Sequence, residues 1–100
     1  MFIAKVVGSV VATRKTGVMV GHELLLVESY RLDESRTGMK AVGRSHVVVD
    51  ALGAAEGEYV LVVQGSSARM TPETRPLPVD AAVVGIVDSV HVGQTTIRFE

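Results

Sequence analysis

Three histidines (His22, His46, His91), three aspartates (Asp50, Asp80, Asp88) and the serines Ser66 and Ser67 have the side-chain types that could do chemistry in this chain. A metal centre or an acid–base pair needs such groups at recurrent spacings or converging on one cleft. The histidines lie far apart with no ligand spacing and read as strand-end or loop residues. Each aspartate stands at the edge of an apolar run, where a carboxylate accepts backbone amides of a turn. A catalytic pair among them would have no nucleophile, metal set or cofactor fingerprint to support it. Gly65-Ser66-Ser67 lacks the G-x-S-x-G pattern of a nucleophile elbow, and Arg14-Lys15-Thr16 lacks the glycines of a phosphate-cradling loop. A helical start at Ser66 or Ser67, with Arg69 nearby, could hold an anion. The plainer reading is a serine-capped turn with Arg69 in an ion pair. The sequence therefore predicts no catalytic residue, no metal site and no cofactor.

Composition narrows the alternatives. One hundred residues make one domain. The formal net charge is -1 and the pI about 6.3, against the strongly basic balance of a nucleic-acid binder. Four scattered aromatics, Phe2, Tyr30, Tyr59 and Phe99, make no evident stacking platform. With no cysteine there is neither a disulfide framework nor a thiolate metal site. No apolar run approaches the roughly 20 residues of a membrane helix, and the N-terminus lacks a leader pattern, so a cytoplasmic location is expected.

The elements are strands. Residues 2–13 read as a long strand with a bulge at Gly8, and 24–30 as a second. The polar stretch 31–44 reads as a solvated loop or irregular hairpin. Residues 47–49 and 59–63 form the next pair, separated by the small loop 52–57 with Gly53 and Gly57 at its turns. Ser-Ala-Arg-Met (67–70) reads as one short helix, and the prolines at 72, 76 and 78 as an exposed loop. A fifth strand spans 79–90 and a last short run 95–99. With 20 valines, these signals predict an all-β chain folded as a small closed or nearly closed antiparallel barrel.

The hydrophobic fraction of 47% and mean hydropathy of +0.33 exceed what so small a domain can bury alone. Runs such as 59–63 and 83–87 are apolar on both faces instead of alternating. One face can fill a barrel; leaving the other wet forfeits about 25 cal/mol per Å². A stable oligomer is expected.

Five blocks then resemble one family: A-K-V-V-G-S-V-V-A-T-R-K (4–15), G-H-E-L-L-L-V (21–27), V-D-A-L-G-A-A-E-G-E-Y-V-L-V (49–62), G-S-S-A-R (65–69) and P-V-D-A-A-V-V-G-I-V-D-S-V (78–90). In order and at family-like spacing, they resemble the EutN/CcmL vertex proteins of bacterial microcompartment shells. The resemblance implies a five-stranded OB-like barrel over residues 1–92, a C-terminal strand or tail over 93–100 that reaches a neighbouring subunit, and assembly as a cyclic homopentamer. It implies a structural protein, not an enzyme, that caps five-fold shell vertices beside hexameric shell proteins, with no nucleic-acid or membrane partner. The competing class is an OB-fold module for nucleic acid or oligosaccharide. Where the family tends to read Gly-Ala-Gly, this chain has Gly53-Ala54-Ala55. Around a five-fold axis Leu52, Gly53, Ala54, Ala55, Glu56 and Gly57, with Ser66 and Ser67, are expected to line or flank a narrow opening. Val60, Val62, Ala68, Arg69, Val83, Val84 and Ile86 are expected at subunit contacts, and Arg14 and Lys15 at contacts with the rest of the shell.

Overall fold

β-Branched runs separated by turns do form strands, seven of them among the described residues. The computed structural model describes residues 1–13, 16–75 and 79–99, the side chain of Val18 excepted. β1 (Phe2–Val10) pairs antiparallel with β2 (Glu23–Leu32) and with β4 (Tyr59–Gln64), and β2 pairs with β3 (Met39–Asp50). β5 (Ala81–Val87) runs antiparallel to β4 and closes the barrel through one parallel pairing, Val49 opposite Ala82, in the order β1-β2-β3-β5-β4. β6 (Ser89–Val92) and β7 (Thr95–Arg98) form a separate hairpin. The barrel is thus closed and all-β as expected, with a parallel seam where a wholly antiparallel one was expected.

Alternation along the strands places Ala4, Val6, Leu25, Val27, Val48, Val60, Val62 and Val83 in the interior. Small and β-branched side chains suit so narrow a lumen. A second cluster, Val49, Val63, Ala68 and Ala82, is buried with Met19, Leu24, Val79 and Val84 packed against it; a 3-10 helix, Gly65–Arg69, contributes Ala68. Part of the apolar surplus of β4 and β5 is therefore covered within the chain itself. The register of β1 against β2 shifts between Val6 and Gly8, the bulge expected at that glycine.

Three expectations about elements are corrected, and of the two readings of 31–44 the irregular hairpin holds. The stretch 31–44 is mostly strand: β2 runs to Leu32 and β3 begins at Met39, leaving a tight polar turn of six residues between them. Asp33 Oδ1 organises that turn, accepting from Ser35 Oγ at 2.8 Å and from the Thr37 backbone at 3.2 Å. Paired backbone overrides the polar composition that suggested a loop. The single strand over 79–90 is two, broken at Asp88. The first strand ends at Val10, and a second 3-10 helix, Gly17–Met19, precedes β2. Finally, the helix expected to be capped by Ser66 or Ser67 starts at Gly65, with Gln64 as the preceding residue and no side-chain cap. Gly65 instead donates its N–H to the Asp80 carbonyl at 2.7 Å from a left-handed conformation, φ 65°, which suits glycine.

Candidate assembly surfaces

The loop expected at a symmetry axis is built on one buried carboxylate. Asp50 is 4% exposed; its Oδ1 accepts the Leu52 N–H at 3.0 Å and its Oδ2 the Ala54 N–H at 2.8 Å. Glu58 Oε1 accepts the Ala55 N–H at 2.7 Å. The Gly57 N–H donates to the Val6 carbonyl at 2.8 Å and the Val6 N–H to the Glu58 carbonyl at 2.9 Å, tying the loop to β1 beside its bulge. Gly53 and Gly57 turn the chain at φ 76° and 93°. Ala55 has no such φ, so its methyl adds no backbone strain. Sequence reading had Asp50 only as a turn carboxylate; the D-x-L-x-A spacing after a strand was the available signal for a double amide acceptor.

Of the residues expected at the opening, Leu52, Gly53, Ala55, Glu56, Gly57, Ser66 and Ser67 are exposed. Ala54 is not: it turns inward, 7% exposed, and joins the barrel core. The subunit-contact set divides more sharply. Val60, Val62 and Ala68 are 0% exposed and Val83 6%, so they fill the chain's own interior and have no surface left for a neighbour. Apolar runs on both faces had hidden which valine points which way. Arg69 is exposed, Val84 partly so, and Ile86 is 39% exposed. Arg14 and Lys15 lie outside the described residues.

An apolar patch that sequence reading missed crosses three strands. Gly8 stands opposite Leu26, and Leu26 opposite Val47. Val47 is 50% exposed, Leu26 partly exposed, and a methyl on Gly8 would meet nothing within 4 Å. Val7, beside the bulge, is 39% exposed.

The aromatics serve one another. Tyr59 stacks on Phe99 with ring centroids 4.1 Å apart and meets Tyr30 edge-on at 5.2 Å, with Lys5 Nζ 5.7 Å from its ring centre. Burial, aided by Tyr30, raises the Tyr59 hydroxyl above its ordinary pKa. The Phe99 N–H also donates to the Asp88 carbonyl at 3.0 Å. The tail thus folds back on its own barrel through Phe99.

The groups that could do chemistry are dispersed. His46 packs against the Phe2 ring at 4.7 Å, His91 Nδ1 shares a hydrogen bond with Thr96 Oγ1 at 2.9 Å, and His22 lies just before β2. Asp80 and Asp88 contribute the backbone carbonyls already named. Among the described residues, no three His, Asp or Glu side chains gather as a metal-binding group.

Residues 1–88 match the family described as ethanolamine utilisation protein EutN/carboxysome. The microcompartment shell vertex protein GrpN of Rhodospirillum rubrum is 46% identical over 91 residues, 91% of this chain and 97% of GrpN. The carboxysome shell vertex protein CcmL of Synechocystis is 45% identical over 92 residues, 92% of this chain and 87% of CcmL. The solved structure of Nostoc CcmL superposes with a TM-score of 0.86 at 39% identity, covering 100% of both chains. The GrpN structure, described as a pentameric microcompartment shell protein, gives 0.73 at 43% identity over 92% of this chain and 98% of GrpN. The closed five-strand barrel is thus a shape these relatives share along nearly their whole length, and the chain belongs to the EutN/CcmL family of shell vertex proteins.

Proposed function

We propose that five copies of this chain form a ring that caps the five-fold vertices of a bacterial microcompartment shell in the cytoplasm, a structural role rather than catalysis. The observation that carries the reading is the near-complete coverage of a relative whose solved structure is a pentamer. The chain's own surface supports it. Val47, Val7, Leu52 and Ile86 are 39–50% exposed, an apolar surplus that a ring contact would remove from water. The contact is assigned to the Gly8, Leu26 and Val47 patch and to Ile86, Val84 and Arg69, in place of the interior valines.

In such a ring the small residues of the loop, with Glu56, are presented to the axis five times, so that a single exposed carboxylate would become a ring of charge. The neighbours in the shell are hexameric shell proteins, met through polar residues, with Arg14 and Lys15 as candidates by their charge. An OB-type module for nucleic acid or oligosaccharide is disfavoured, because the net charge is -1 and the aromatics pack on one another. Co-expression with hexameric shell proteins tests the vertex role. Closed polyhedral shells should form with the chain present, whereas closure without it, with the chain left unincorporated, would refute the assignment.

A further inference from the structure

One end of the barrel is open and basic. A cavity of about 420 Å³ there is lined by Ser29, Arg31, Arg44, His46 and Gln64, with Phe2 on its apolar side. With Tyr30 and Val42 completing the lining, its residues carry two guanidinium groups, an imidazole, an amide and two hydroxyls, and no carboxylate.

Local charge accounting leaves the mouth positive. Arg44 makes no ion pair among the described residues. Arg31 reaches Glu34 Oε1 at 3.3 Å, but both side chains are more than half exposed and the same oxygen is taken by Lys40. One exposed carboxylate shared by two cations holds neither firmly. The other acids nearby are engaged elsewhere: Asp33 holds the turn between β2 and β3, and Glu28 stands across from Lys5 on β1. Arg44 without an ion pair among the described residues, beside an Arg31 that shares one exposed carboxylate with Lys40, is a local feature in a chain of net charge -1, not general basicity.

The walls are also positioned. Ser29 Oγ donates to the Arg44 carbonyl at 3.4 Å, and the Phe2 ring lies 4.7 Å from the His46 ring, tilted by 39°. Guanidinium forks match the paired oxygens of phosphate and carboxylate. The volume lies within the range of small-molecule cavities, about 300–1,000 Å³.

We propose that this barrel mouth binds a small dianion of the phosphate or polycarboxylate class, held by Arg44 and Arg31, with His46 and Gln64 completing its hydrogen bonds. The same carboxylate chemistry could be supplied by an acidic side chain of a neighbouring copy in the ring, and the test separates the two sources.

The assembled protein is titrated with inorganic phosphate and with citrate by calorimetry, and its mass followed by native mass spectrometry. Saturable binding is expected, weakened at least about tenfold in Arg44→Ala, less in Arg44→Lys, which keeps the charge but loses the fork. It should be unchanged in Arg98→Ala on β7. No saturable binding by the wild type, or binding indifferent to both Arg44→Ala and Arg31→Ala, overturns the site. Dissociation of the ring in Arg44→Ala, when the wild type binds neither anion, also overturns it and assigns the arginines to a neighbour's carboxylate. A ring that stays intact without binding anions removes the site and leaves the vertex function standing.

Discussion

Asp50 ties the loop after β3 to the barrel core through one buried side chain. Two backbone amides that would otherwise be orphaned end on its carboxylate, and one of them belongs to Ala54, part of the core. Asp50→Ala should destabilise the protein by about 2–3 kcal/mol, the cost of leaving buried donors unmet, and Asp50→Asn by less, since it retains one acceptor. Thermal melting at a fixed protein concentration reads the difference. Asp33 and Glu34 test electrostatics at the surface. The Ser35 hydroxyl lowers the Asp33 carboxyl and the Lys40 ammonium the Glu34 carboxyl, each below its ordinary value. Groups lowered on folding stabilise above their unfolded values and cease to as pH falls through the folded ones. The turn between β2 and β3 should therefore loosen only below about pH 4, seen as a shift of the Thr37 amide resonance while the barrel signals stay put.

Among the elements, β3 and β4 decide where a valine matters. Val62 is fully buried and Val47 half exposed, though both sit in runs of three apolar residues or more. Val62→Asp would place an uncompensated charge in the barrel interior and should yield unfolded or aggregated protein. Val47→Asp should leave a folded chain, by circular dichroism, that no longer forms rings. The tail gives a third comparison: Phe99→Ala removes the stack on Tyr59 and should release the β6–β7 hairpin to proteolysis while the five-strand barrel resists. The strand runs, the Gly8 bulge and the small loop at 52–57 were legible in the sequence because β-branched runs, a glycine inside a strand and paired glycines each have a local cause. The stretch 31–44 was legible only as a loop or an irregular hairpin, because its pairing partner lies across a turn made by polar side chains; it is the hairpin. Nor could the sequence separate Val60, Val62 and Val83 from Val47: where both faces are apolar the period-two signal vanishes, and only barrel closure fixes which side is inside.

For the whole molecule, two demands meet in one small domain. The interior is filled by side chains no larger than leucine, while Gly8, Leu26 and Val47 leave an apolar strip outside. A chain this short has little core to spare, and covering the strip in a ring would stabilise each subunit as well as join it. The family relationship supplies the number five, and the shell role depends on that number, since a corner of a polyhedral shell takes a five-fold piece. Native mass spectrometry of the purified full chain at micromolar concentration tests this most directly. Five copies of a 10.6 kDa chain should appear as a single species of about 53 kDa. A monomer, or a ring of any other number as the dominant species, would contradict the account.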